Sequence, residues 1–110
     1  MTTAASHRAR GAAWEKAVAE YVGGYRDRLH GARDTGDVIG LPGVVVECKA
    51  QGRYELLQWI YQVQAEGDRA GAGLGLVAVK AKGHTQPSKG IWLVDPRHVP
   101  YLVELVRRDQ

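Results

Sequence analysis

The chain has 110 residues, 45% of them hydrophobic and 25% charged, which is the size and make-up of one ordinary globular domain. Fifteen Lys and Arg against twelve Asp and Glu give a net charge of +3, which permits a polyanionic partner without requiring one. Apolar runs such as Leu74 to Val79 are too short for a membrane helix, and the polar N-terminus lacks the apolar stretch of a secretory signal. The single cysteine, Cys48, excludes an internal disulfide and a cysteine-based zinc finger, so a reducing cytoplasm is expected. The reading is one domain over 1–110, with residues 1–6 as a tail.

The first predicted element is a helix from Arg8 to Val22. Trp14, Ala17, Val18, Tyr21 and Val22 recur at the spacing that lines one helical stripe, and Gly23-Gly24 ends it. From Tyr25 to Lys49 the period shortens. Runs at Tyr25 to His30, Asp37 to Ile39 and Val44 to Lys49 are separated by Gly31, Gly36, Gly40 and a Leu41-Pro42-Gly43 turn. That punctuation predicts a meander of antiparallel strands.

A second helix is predicted from Tyr54 to Ala70, with Leu56, Ile60, Val63 and Gly67 on its packing face. Gly71, Gly73 and Gly75 then form a Gly-x-Gly-x-Gly run. It follows a helix and enters a strand, the reverse of a phosphate-cradling loop, so it reads as a cap and turn. Leu74 to Lys80 and Gly90 to Val94 read as strands flanking a basic loop, Ala81 to Lys89. Asp95-Pro96 and Pro100 signal a last helix with Val99, Leu102, Val103 and Val106 on its apolar stripe. The order α-β-β-β-α-β-β-α indicates a mixed α/β domain, its central sheet flanked by helices.

The strongest chemical signal is Glu47-Cys48-Lys49 at the end of a strand. Alternation puts Glu47 and Lys49 on one face and Cys48 on the other, where it reads as a small buried hydrophobe. A carboxylate and an ammonium group held together on a rigid strand suit a scissile phosphate; the plain alternative is an ion pair between strand neighbours. Asp37 strengthens the first reading, because two antiparallel strands joined by the Leu41-Pro42-Gly43 turn would bring it beside Glu47. Two converging carboxylates repel unless a cation separates them, and oxygen ligands favour Mg²⁺, with Mn²⁺ able to substitute. Glu15 is a third carboxylate on the flank of the first helix, and Asp34 is a rival to Asp37. No acidic residue lies between Arg69 and Val94, while Lys80, Lys82, Lys89 and His84 all do.

The segments Gly11-Ala-Ala-Trp14-Glu15-Lys16, Gly36-Asp37-Val38-Ile39 and Val46-Glu47-Cys48-Lys49 together resemble the PD-(D/E)xK nucleases, most closely the archaeal-type Holliday-junction resolvases and their phage relatives. The resemblance spans Arg10 to Lys82, with Gly36 standing where the motif name has proline. It implies a restriction-endonuclease-like fold, with Asp37 and Glu47 as ligands of Mg²⁺ and Lys49 as the catalytic lysine. The Cys48 backbone carbonyl would be a further ligand. Glu15 matches the acidic residue of the resolvases' first helix, as ligand of a second ion or of a metal-bound water, and Gln62 resembles the second-helix glutamine of related nucleases.

The implied activity is structure-selective cleavage of four-way DNA junctions by a homodimer, leaving 5′-phosphates, in recombination and repair. Arg10, His30, Arg33, Lys80, Lys82 and Lys89 would grip DNA by sequence-independent phosphate contacts. Tyr101 and Leu105 are expected as exposed apolar residues at a dimer interface. No membrane or small-molecule cofactor is expected. The alternatives are a less selective nicking or repair nuclease of this fold and an inactive DNA-binding subunit.

Overall fold

Three consecutive β-branched residues, Val44-Val45-Val46, start the strand around which the molecule is arranged. The computed structural model describes residues 4–27 and 36–110, with side chains from Arg8 onward; His30, Arg33 and Asp34 lie outside the described residues. The elements are α1 (Ala4–Val22), β1 (Tyr25–Arg26), β2 (Val38–Ile39), β3 (Val44–Lys49), α2 (Leu56–Ala70), β4 (Leu74–Val79), β5 (Ile91–Val94) and α3 (Val99–Arg108). Short 3-10 turns at Pro87–Lys89 and Pro96–His98 precede β5 and α3. The fold is mixed α/β, and no helix among the described residues is long and apolar enough to cross a membrane.

β3 pairs in parallel with β4, in register from Val44 opposite Leu74 to Lys49 opposite Val79. A parallel pair needs a crossover, and α2 supplies it. β5 adds antiparallel to β4. The expected continuous meander is corrected here. β2 pairs with β1 in a separate two-stranded sheet, not with β3. The physical reason is glycine: Gly36, Gly40 and Gly43 all have positive φ, so the chain turns before a ladder extends beyond two residues.

The three-stranded sheet separates two apolar layers. On one side Trp14, Val18 and Ala19 of α1 pack with Val38, Val46 and Ala78, and the Trp14 indole donates to the Ala78 carbonyl at 2.9 Å. On the other, Val45, Val77 and Val79 meet Trp59 and Val63 of α2. Each fully buried valine contributes roughly 1.5–3 kcal/mol by leaving water. Gly71, at φ 64°, caps α2 in the left-handed conformation, as the cap reading of the glycine run requires.

All three helices depart from the pattern read from sequence. α1 begins at Ala4, inside the expected tail, in keeping with its alanine-rich start. Its Tyr21 is exposed and lies against Trp92, ring centroids 5.7 Å apart, instead of joining the core. α2 buries Trp59, Val63, Glu66 and Gly67, a face rotated from the expected one, and leaves Leu56 exposed. Burying the Trp59 ring, the largest apolar group on the helix, sets that rotation. α3 buries none of its side chains; Val99, Val103 and Val106 of its apolar stripe are exposed, as are Tyr101 and Leu105.

Candidate active site

The site is built where the Asp37 turn presses on β3. Gly36 sits there at φ 100°, and a Cβ on it would approach the Val46 carbonyl oxygen to 2.9 Å. Only glycine permits that contact, which brings the next residue against the strand. The Asp37 amide donates to the Val46 carbonyl at 2.8 Å, and Asp37 Oδ2 accepts from the Cys48 amide at 2.7 Å. A strand residue's amide and carbonyl point to the same flank, so the Cys48 carbonyl also faces Asp37. Asp37 thus reaches β3 without a β2–β3 ladder, through its own amide and its side chain.

Glu47 and Lys49 lie on the α2 side of β3, while Cys48 packs against the α1 layer. Lys49 Nζ is 3.7 Å from Glu47 Oε1 and donates to Gln62 Oε1 at 2.7 Å. Gln62 Nε2 donates in turn to Glu66 Oε1 at 3.1 Å. The amide therefore has one orientation, acceptor toward the ammonium and donor toward the carboxylate. Lys49 Nζ also stands 6.0 Å from the centre of the Trp59 ring, whose π face favours a cation.

Glu66 is the member that the sequence did not announce. It is 3% exposed, and its Oε2 has no hydrogen-bond partner among the described residues. Burial comes first among the causes that push the Glu47 carboxyl up to about 10, followed by the neighbouring carboxyls of Glu66 and Asp37. Burial also pushes the Cys48 thiol well up, reinforced by Asp37, Glu15 and Glu47 and opposed by Lys49. Glu47, Glu66 and Asp37 thus meet without enough positive charge to balance them.

That imbalance, together with an all-oxygen donor set, fits a hard divalent cation. Asp37, Glu47 and the Cys48 carbonyl would hold it. No group of three or more His, Cys, Asp or Glu side chains among the described residues forms a ready metal cage. Mg²⁺ does not require one, because it keeps several waters and takes one or two carboxylates.

The other expected residues fall into three sets. The Glu15 carboxylate accepts from Arg26 Nε at 2.8 Å, an ion pair between α1 and β1. Gln62 is brought to Lys49; of its competitors, Gln64 donates to Asp95 at 3.2 Å and Gln58 is exposed. Arg10, Lys80 and Lys82 share a pocket beside the end of β3, and Lys89 is exposed at the 3-10 turn before β5. Comparison with protein-family models, with curated proteins and with solved structures found no match to this chain.

Proposed function

We propose that this chain is a Mg²⁺-dependent, structure-selective DNA endonuclease of restriction-endonuclease-like fold, acting on four-way junctions. The single observation that carries the reading is the Asp37–Cys48 hydrogen bond, which sets Asp37 beside Glu47 while Lys49 stands 3.7 Å from the same Glu47. Carboxylates that crowd one another next to an ammonium group cost stability, and a scaffold has no need of them. A phosphodiester hydrolase does.

When bound, Mg²⁺ would supply acidified water and neutralise charge on the phosphate. Asp37 and Glu47 hold the negative charge that retains the ion. Lys49, fixed by Gln62 and walled by Trp59, donates a hydrogen bond to the phosphate oxygens as charge grows on them. Glu15, paired with Arg26, fits a positioning part more closely than a ligand's. A homodimer suits a substrate needing two symmetric cuts, with exposed Tyr101 and Leu105 of α3 at its interface.

The test incubates a labelled four-way junction and a matched linear duplex with the protein, in Mg²⁺ and in EDTA. Paired nicks in the junction alone, abolished by EDTA, support the proposal. Cutting of both substrates supports a less selective nuclease of the same fold. Tight junction binding without cutting supports an inactive DNA-binding subunit.

A further inference from the structure

Beside the end of β3 lies a pocket of about 330 Å³, within the size range of small-ligand clefts. α1 contributes Arg10, the segment after β3 contributes Gln51 and Tyr54, and the segment after β4 contributes Lys80 and Lys82. None of the three cations makes an ion pair among the described residues, in contrast to Arg26, Arg97, Arg107 and Arg108. Like charges gathered without a counter-charge repel one another, so an anion in the pocket would relieve them.

The pocket adjoins the candidate active site along the backbone at the end of β3. The Lys80 amide donates to the Lys49 carbonyl at 2.8 Å, and Ala50, the residue after Lys49, lines the pocket wall. Tyr54, 42% exposed, meets the Trp59 ring edge-on at 6.2 Å, and Trp59 is the ring beneath Lys49. An exposed aromatic ring among three unpaired cations matches a nucleotide, whose base stacks and whose phosphate takes the positive charge. A bare phosphate would have no use for the ring.

We infer that this pocket holds one unpaired nucleotide next to the scissile phosphate, its base on Tyr54 and the phosphates on either side of it on Arg10, Lys80 and Lys82. The inference rests on the nuclease reading for the position of the cut, but the binding itself needs no metal and no catalysis. Base pairs at a branch point have their stacking interrupted and open at lower cost than those of a continuous duplex, so a branch point yields an unpaired nucleotide more readily. Selectivity for branched DNA would then arise here, not from base reading.

The experiment measures fluorescence anisotropy of a labelled single-stranded oligothymidylate with the full chain in EDTA. Tyr54→Phe should bind like wild type, and Tyr54→Ala about tenfold more weakly, the loss of one base stack. A Lys80→Ala, Lys82→Ala double variant should make the salt dependence shallower by about 1.4, at ~0.7 per phosphate contact on a single strand. An Arg107→Ala, Arg108→Ala double variant, on the last turn of α3, is the control, and circular dichroism checks each fold. Equal affinity of Tyr54→Ala and Tyr54→Phe, an unchanged salt slope in the lysine variant, or no binding by wild type would each overturn the inference. A wild type that binds the strand in this pattern but cuts no junction in Mg²⁺ would sink the nuclease reading alone.

Discussion

The Cys48 amide donates to the Asp37 carboxylate at 2.7 Å, so a backbone group of β3 positions the candidate metal ligand. That bond separates two jobs of Asp37. Asparagine keeps an oxygen to accept from the amide but carries no charge. Asp37→Asn should therefore fold and bind a junction in EDTA as wild type does, while cleavage in Mg²⁺ falls by at least ~100-fold. Lys49→Ala should behave alike. Parallel loss of binding in a gel-shift assay would mean that these residues grip or fold, and the catalytic assignment would be withdrawn.

Gln62 links an ammonium to a buried carboxylate and has no spare orientation, which makes it a positioning residue for Lys49. Methionine has a similar volume, no donor and only a weak acceptor. Gln62→Met should lower kcat by roughly 10–100-fold with KM unchanged, the pattern of a misplaced group. On a Lys49→Ala background the same substitution should add little, because the residue it positions is gone. Additive losses in that double-mutant cycle would assign Gln62 a separate function.

The elevated Glu47 carboxyl gives a pH dependence whose sign follows from proton counting. The unfolded chain releases this proton near the ordinary value of 4.5, whereas the metal-free folded protein keeps it. The folded state then binds more protons, so its stability falls as pH rises above about 4.5, by at most about 1.4 kcal/mol per pH unit. Denaturant melts in EDTA from pH 5 to 9 should show that decline. Glu47→Gln should flatten it, and Mg²⁺ should stabilise wild type more at pH 9 than at pH 6. Parallel wild-type and Glu47→Gln curves would show that Glu47 is not the group responsible.

Local chemistry made much of this legible from sequence. β-Branched Val44-Val45-Val46 marked β3, Gly71 marked the end of α2, and strand alternation placed Glu47 and Lys49 on one face. The spacing of Asp37 from Glu47 also anticipated their meeting, though by a different route. In place of a paired strand, one backbone bond to Val46 and one side-chain bond to the Cys48 amide join Asp37 to β3. Glu66 was illegible because hydrophobic periodicity assigns a glutamate to the solvent side, and only the rotation of α2 around Trp59 turns it inward. The same rule overstated α3, whose apolar stripe is real but finds no layer among the described residues to cover it. Glu15 with Arg26 joins a helix to a two-residue strand, a tertiary contact that no local period encodes.

At the opposite end of the sheet, Asp95 is completely buried and organises the start of the last helix. Its carboxylate accepts from the Arg97 amide, the Arg97 guanidinium and Gln64, while the His98 Nδ1 accepts from the Gly75 amide at 3.0 Å. Burial would raise the Asp95 carboxyl, but these bonds outweigh it and hold the group down at about 2. Its stabilising contribution is therefore present above the ordinary value of 3.8 and is lost as pH falls toward 2. Asp95→Asn removes the charge that the Arg97 bonds rely on, and should cost roughly 2–3 kcal/mol in urea melts at pH 7. The gap from wild type should close below about pH 3, where the aspartate approaches its own protonation. Gly75 pairs with Val45 and Val79 with Lys49, four residues along each strand, so the lesion lies ~13 Å from Lys49. Junction cleavage at a temperature where the variant is folded should match wild type; a loss there would mean that the Asp95 network also shapes the site.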